Sequence, residues 1–230
     1  MKEYNFITAI LFFGLLSCSN EETKTQNQVA ARPTVPIQNG EVRIGNQIWM
    51  TKNLNVSRYR NGDPIPQVTD PTQWENLTTG AWCYYRNIAA NGLVYGKLYN
   101  WYAVNDARGL APLGYHLPSD AEWTALVAYL GFANVAGGKM KSTGTIQAGT
   151  GLWQSPNTGA TNESGFNGPP GGYRNINGNF SFIGNYGFWW SSTENGIAGA
   201  WYRYLSDIYG VARRNYYNKE FGFSVRCVRD

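Results

Sequence analysis

The sequence predicts a mixed α+β fold of short antiparallel strands, one or two helices and long irregular loops rich in glycine and tryptophan. Charged residues make up only 15% of the chain and aromatic residues another 15%, and there are 27 glycines. This composition is typical of turn-rich β structure rather than of long surface helices. Several pairs of apolar runs flank tight turns, as in β-hairpins. One stretch near the middle of the chain has the pattern of a helix start.

The first residues predict a cleaved export signal. Lys2 precedes an apolar run over residues 6–16, which is too short to span a bilayer but typical of a signal peptide. The sequence LLSC, ending at Cys18, resembles the lipobox of bacterial lipoproteins. That resemblance implies a lipoprotein signal peptide over residues 1–17 and attachment to the lipid bilayer through acylated Cys18. The alternative is an ordinary secretory signal that happens to contain a cysteine.

Residues 18–40 are predicted to be a flexible tether. From Ser19 to Gly40 the chain has no aromatic residue and few large apolar ones, so this segment cannot form a core. Glu21 and Glu22 resemble the surface-export signals of Bacteroidetes lipoproteins. The expected location is therefore the outer membrane, with the domain facing the periplasm or the cell surface.

A folded domain is expected over residues 41–230. Val42, Ile44 and Ile48 alternate around the turn at residues 45–47, which indicates a hairpin. The stretch GAWCYYRN at residues 80–87 predicts a short aromatic strand. The aromatic-rich residues that follow indicate no particular secondary structure.

The best local signal is a helix that begins after Ser119. Ser119 and Glu122 have the spacing of a capping box, and Asp120 places negative charge in the first turn. A buried stripe at helical spacing follows, and Gly131 is a suitable stop. The stripe consists of Trp123, Leu126, Val127 and Leu130.

The same stretch has an alternative interpretation as a hydrolase site, because His116, Ser119, Asp120 and Glu122 lie within seven residues. His116 is the only histidine of the chain. Each of the other three already has a role at the start of a helix. We therefore predict a helix start rather than an active site.

The C-terminal half predicts a long loop and then strands. Residues 131–172 form a segment too long for an ordinary loop, which we expect Trp153 and Phe166 to pack. Asn177-Gly178 and the turn at residues 207–210 each separate two strand-like runs. The last run alternates in apolarity, which predicts a strand with one face in the core. Its inward residues are Phe221, Phe223, Val225 and Cys227.

Four C-terminal segments closely resemble the Fibrobacter succinogenes major paralogous domain, a family of surface proteins of Bacteroidetes and Fibrobacteres. They are ESGFNGPPGGYR, GNYGFWWSSTE, AWYRYLS and NKEFGFSVRCVRD. The segments IGNQIWMTKNLN, YGKLYNWYAV and YHLPSDAEWTAL resemble its first half, so that the resemblance covers residues 41–230.

LPSDAEW, WWSSTE and GFSVRC are also similar to a wider group that contains formylglycine-generating enzyme domains. That similarity implies a C-type-lectin-like fold in which the Val42 strand meets the strand at residues 224–228. The catalytic branch of this group depends on reactive cysteines near the C-terminus. Only Cys227 stands there in this chain, so that activity is not expected.

Most catalytic classes lack their motifs here. The net charge of +4 forms no basic block, so nucleic acid is not an expected partner. The chain has only one histidine and no C-x-x-C pair, so it lacks the common metal-site patterns. It also lacks the G-x-S-x-G motif of hydrolase nucleophiles and the phosphate loop of nucleotide-binding proteins. The enzymatic alternative is a glycan-active enzyme that uses two carboxylates. Its candidate acids are Asp106, Glu194 and Asp207.

We expect no cofactor, with calcium as an open possibility through loop oxygens. The candidate calcium ligands are Asn162, Glu163, Glu194 and Asn195. Cys83 and Cys227 are either a disulfide or two buried thiols, since sequence does not give their separation.

The expected function is binding of an extracellular polysaccharide or of another surface protein. The candidate ligand contacts are Trp153, Tyr202, Arg203 and Tyr204. For Trp153 the alternative is a side chain that packs its own loop. The alternative function is a structural or adhesive surface subunit without a glycan ligand.

Overall fold

The structure, a computed structural model, describes Met1 and residues 37–230. The expected signal peptide, the acylated Cys18 and the tether up to residue 36 lie outside the described residues. Within the described part of the chain, no helix is long and apolar enough to cross a membrane.

Strands and short helices alternate along the described residues. In chain order they are β1 (Glu41–Ile44), β2 (Gln47–Met50), α1 (Pro71–Glu75), β3 (Trp82–Cys83), α2 (Ala89–Tyr95), β4 (Leu98–Tyr99), α3 (Trp101–Val104), β5 (Tyr115–His116), α4 (Asp120–Tyr129), α5 (Ala133–Met140), β6 (Gly171–Arg174), β7 (Phe180–Ile183), β8 (Tyr186–Asn195), β9 (Gly199–Ser206), β10 (Tyr209–Asn218) and β11 (Val228–Arg229). The mixed α+β character is confirmed, but the helices outnumber the one or two expected.

The largest sheet has the order β10-β9-β8-β6-β7. β8, β9 and β10 form an antiparallel meander, whereas β6 runs parallel to β8 and antiparallel to β7. The predicted hairpins at Asn177-Gly178 and at residues 207–210 are therefore confirmed as β6–β7 and β9–β10. β3 and β4 form a separate antiparallel pair.

The two ends of the domain lie in a second sheet, of order β1-β2-β11-β5. The predicted first hairpin is confirmed as β1–β2. The Val42 strand and the last strand were expected to meet. They lie in the same sheet but are not neighbours, because Val228 pairs with Trp49 of β2, which lies between them. β2 takes the inner position because Ile48 and Trp49 are both buried, whereas Arg43 of β1 is exposed.

The predicted capped helix is confirmed as α4. The Ser119 hydroxyl accepts from the Glu122 amide at 3.2 Å, and the Glu122 carboxylate accepts from the Ser119 amide at 2.8 Å. Trp123 and Leu126 are fully buried, and Gly131 has a φ of +99° just after the helix.

The core is divided by β8, which is buried on both faces. Trp189 packs with Trp49, Trp123 and Phe166 on the side of α4 and α5. Phe188 and Trp190 point into the other cluster.

The predicted strand over residues 221–227 is instead an extended segment with isolated bridges. Its expected outward residues, Ser224 and Arg226, are buried as well.

Candidate functional site

One face of the large sheet extends from the core to the surface as a patch of aromatic rings. We call it the aromatic face and define it by five partly exposed rings above four buried ones. The exposed rings are Tyr173, Phe182, Tyr186, Tyr204 and Tyr217. The buried rings are Phe188, Tyr202, Phe221 and Phe223.

Strand alternation explains why these rings share one face. In the β8–β9 pairing Phe188 lies opposite Tyr204, and Trp190 lies opposite Tyr202. Residues directly opposite each other point to the same side of a sheet. Phe223 lies beneath this pair, stacked on Phe188 with ring centroids 5.1 Å apart.

The rings form a continuous contact path around the buried floor. Phe182 contacts Tyr186 at 5.1 Å and Tyr173 at 5.8 Å between centroids. On the far side, Tyr217 stacks on Tyr202 at 5.4 Å and on Phe221 at 4.4 Å, with interplanar angles of 7° and 8°. Although two rings stack on it, the Tyr217 side chain is still 42% exposed.

Polar groups border the aromatic face. Arg213 and Asn215 of β10 lie opposite Tyr204 and Tyr202, so both point to this side of the sheet, and both are exposed. The hydroxyls of Tyr186, Tyr204 and Tyr217 make no hydrogen bond to another described residue. The face therefore combines flat apolar rings with free hydrogen-bonding groups.

Tyr202 and Tyr204, two of the candidate ligand contacts, thus lie on one face of the sheet but at different depths. Tyr204 is partly exposed, whereas Tyr202 is only 2% exposed and forms part of the floor. Burial raises the pKa of the Tyr202 hydroxyl, and the neighbouring Tyr217 and Tyr204 raise it further. This phenol stays neutral at physiological pH.

The prediction that Arg203 contacts a ligand is not supported by its position, which is buried on the opposite side of β9. Its guanidinium donates to the Asp120 carboxylate at 2.6 Å and to the Thr124 hydroxyl at 2.8 Å. Burial opposes the charged form of Asp120, but Arg214 and Arg203 outweigh it and lower the pKa of this carboxyl. Arg203 therefore joins β9 to the start of α4.

Trp153 is also unavailable for a ligand, because its side chain is 0% exposed. The indole Nε1 donates to the Ser142 hydroxyl at 3.0 Å and to the Gly168 carbonyl at 3.2 Å. These partners stand near the two ends of the long loop after α5. The structure thus supports the alternative in which Trp153 packs its own loop.

Cys83 and Cys227 are both free and buried, and they lie in different core clusters. Burial raises the pKa of each thiol to about 12. Of the two alternatives, the structure favours the pair of inert buried thiols.

The three candidate catalytic acids have separate partners. Asp106 binds Arg108 at 2.8 Å, Glu194 binds Lys219 at 2.8 Å, and Asp207 accepts from the Asn185 side chain at 2.8 Å. Each carboxylate therefore has a structural contact of its own.

For calcium, the described residues contain no group of three or more His, Cys, Asp or Glu side chains arranged to hold a metal ion. Three of the candidate calcium ligands already have partners in the structure, and one of them is Glu194, which binds Lys219. The Asn162 side chain accepts from the Asn167 amide at 2.8 Å, and Glu163 pairs with Lys139 at 3.3 Å.

Sequence reasoning missed most of the aromatic face. Tyr217 lies on β10, Tyr173 on β6 and Phe182 on β7, and only the sheet order brings these strands to one side. The available signal was the alternation of Tyr202 and Tyr204 together with the aromatic content of the neighbouring strands.

Comparison with known proteins gives one match. A family model described as the Fibrobacter succinogenes major domain matches residues 42–229. The search of curated proteins and the search of solved structures found no match.

Proposed function

Since the chain belongs to the Fibrobacter succinogenes major domain family, we propose that it is a surface-anchored lipoprotein whose domain binds extracellular glycan on the aromatic face. The observation on which this proposal rests is the set of five partly exposed rings that border one sheet face. A contiguous apolar patch with a polar border favours a binding site.

The chemistry of the face suits a sugar. The C–H face of a pyranose is apolar and packs against a flat ring, while its hydroxyls need hydrogen-bond partners. Tyr217 offers an exposed ring, Asn215 supplies a donor beside it, and Arg213 supplies further donors two residues beyond Asn215 on β10. A tyrosine side chain supplies a large contact area and loses little conformational entropy when a ligand holds it in place, which favours binding.

The test is a glycan array probed with the purified chain, followed by titration of any ligand found. Replacing Tyr217 by alanine is expected to weaken binding at least about fivefold, which corresponds to about 1 kcal/mol of lost ring contact. Tyr216→Ala is the matched control, because Tyr216 is the next residue on β10, is 53% exposed and points to the other side. Equal losses in the two variants would contradict the proposal.

The anchor is the second part of the proposal. We propose that Cys18 is acylated and holds the domain at the outer membrane, facing the periplasm or the cell surface. Metabolic labelling with a lipid precursor, lost in Cys18→Ser, tests the modification. Protease treatment of intact cells then tests the side of the membrane.

We assign the fold, as a proposal, to the C-type-lectin-like group. Two observations support this assignment: the strands at both ends of the domain share one sheet, and long irregular segments connect the other elements. An experimental structure that superimposes on that group would test it.

A structural or adhesive subunit is the second candidate, favoured by one observation. β10 is an edge of the large sheet, and from Arg213 to Asn218 it is exposed. A long free edge can pair with another chain. Self-assembly of the purified chain without glycan would favour this candidate.

We propose no catalytic role. Hydrolysis of a labelled polysaccharide by the purified chain, abolished by changing a single acid, would replace the binding proposal with the enzymatic alternative.

A further inference from the structure

A cleft of about 390 Å³ opens between α2 and the loop that follows α5. Leu93 and Val94 of α2 form one wall, and Thr143 and Leu152 stand on the other. Its volume lies in the range of small-molecule sites. No residue that lines this cleft belongs to the aromatic face.

The charges that line the cleft are all of one sign. Lys52 and Arg226 line it, and no Asp or Glu does. Lys52 is exposed, and it forms no ion pair with another described residue. A ligand in the cleft therefore meets the exposed ammonium of Lys52 and no negative group, and the charge of Arg226 lies behind the surface of the cleft.

Arg226 is 0% exposed and bonds only to neutral oxygens. Its guanidinium donates to Asn53 Oδ1 at 2.8 and 3.1 Å, to the Met50 carbonyl at 2.9 Å and to the Phe166 carbonyl. Burial lowers the pKa of Arg226 to about 9, so that the side chain is still charged at neutral pH. A buried charge without an opposite charge is costly.

Lys97 resembles Arg226 in this respect, since it is 4% exposed and donates to the Asn55 carbonyl, whereas two other buried cations have a carboxylate close by. Arg203 has Asp120 beside it, and Lys141 has Asp207 close enough to favour its charged form. Within the described part of the chain, no carboxylate forms an ion pair with Arg226. A negatively charged ligand in the cleft brings an opposite charge nearer to this buried guanidinium without contacting it.

Neutral polar groups complete the lining. The Ser142 hydroxyl accepts from Trp153 at 3.0 Å, and its own proton is free to donate outward. Thr143 and Asn167 are exposed at the same opening. These groups can bind hydroxyls, and the apolar wall of Leu93 and Val94 can receive a C–H surface.

We propose that this cleft binds a sugar acid, a small hydroxyl-rich molecule with one carboxylate that lies toward Lys52 and Arg226. The sugar acid is either free or the terminal residue of an acidic glycan. This site is separate from the aromatic face and does not depend on it.

The test is calorimetric titration of the full purified chain with glucuronate and, as its neutral counterpart, glucose. Glucuronate is expected to bind at least tenfold more tightly than glucose. Lys52→Glu should weaken glucuronate binding at least tenfold, and Lys139→Glu, the same change at a lysine outside the cleft, should leave it within twofold. Equal affinities for the two sugars, or an unchanged affinity in Lys52→Glu, would overturn the proposal.

Two further measurements identify the source of the ligand and separate this site from the proposed function. Tighter binding of an oligosaccharide that ends in glucuronate indicates a glycan end, and equal binding indicates the free acid. Tyr217→Ala should leave glucuronate affinity unchanged, because Tyr217 does not line the cleft. A glycan array without hits, beside normal binding of free glucuronate, would contradict the aromatic-face proposal and leave the cleft as a site for the free acid. No heat from either ligand at concentrations up to about 10 mM would overturn the cleft proposal.

Discussion

Replacing Trp153 by alanine is expected to destabilise the domain strongly, because this side chain packs the long loop after α5. The indole is fully buried, and its Nε1 holds Ser142 and the Gly168 carbonyl together. Removing a buried tryptophan costs about 3–5 kcal/mol of the free energy of unfolding. For a chain of this length, that loss lowers Tm by about 6–20 °C.

The conservative change Trp153→Phe separates packing from hydrogen bonding. Phenylalanine keeps most of the apolar volume and loses the two Nε1 hydrogen bonds, which contribute about 1–2 kcal/mol together. We expect its Tm to lie between those of the wild type and Trp153→Ala. Tyr129→Ala is the control, because Tyr129 is 68% exposed and its loss should change stability by about 0.5 kcal/mol at most.

Differential scanning calorimetry and urea unfolding are the assays for all three variants. The opposite result would be a Trp153→Ala protein that melts within about 2 °C of the wild type and has lost glycan binding. That outcome would show that the indole contacts ligand, and it would refute the role assigned to Trp153 here.

Two predictions concern pH and thiols. Burial opposes the charged form of His116, but hydrogen bonds to Glu122 and Asp230 outweigh it and raise the pKa of His116 above 6.5. Burial also opposes the charged form of Glu122, but hydrogen bonds from Ser119 and His116 outweigh it and lower the pKa of Glu122 below 4.5. The His116–Glu122 pair therefore stabilises the fold most between pH 4.5 and 6.5 and loses its effect as pH rises through the folded pKa of His116. The Tm deficit of His116→Gln should be largest in that window, and a deficit independent of pH would contradict it. Both Cys83 and Cys227 should react with a thiol reagent in denatured, unreduced protein, whereas labelling only after reduction would reveal a disulfide.

The parts of the fold that sequence predicted correctly depend on neighbours in the chain. The start of α4 is fixed by Ser119 and Glu122, three residues apart, and its buried face by Trp123 and Leu126. Hairpins such as β6–β7 likewise depend on a turn such as Asn177-Gly178. Local spacing contains this information.

Helix α5 was missed because tertiary packing overrides its local propensity. Gly137 and Gly138 make its sequence a poor helix former. A Cβ on Gly137 would lie 2.4 Å from the backbone of Val211, and one on Gly138 would lie 2.2 Å from the Gly159 carbonyl oxygen. The glycines permit close approach of β10 and the long loop, and that requirement cannot be inferred from residues 133–140 alone.

The candidate sites were only partly predictable for a related reason. Alternation along β9 puts Tyr202 and Tyr204 on one side of the strand but cannot add Tyr217, which arrives from another strand. The same alternation wrongly placed Arg226 on the outer side of the last segment, because it assumes that one face meets water. Residues 221–227 are covered on both faces, so that the period of two no longer separates core from surface.

The shared sheet of β1, β2 and β11 brings the entry and exit of the domain to one place. The Glu41 carboxylate accepts from Arg229 at 3.1 Å, so residues near the two ends are within side-chain reach. Domains with adjacent ends tolerate circular permutation and insertion. Residues 41–230 could therefore be spliced as a cassette into an exposed turn of a host protein, with a short linker on each side.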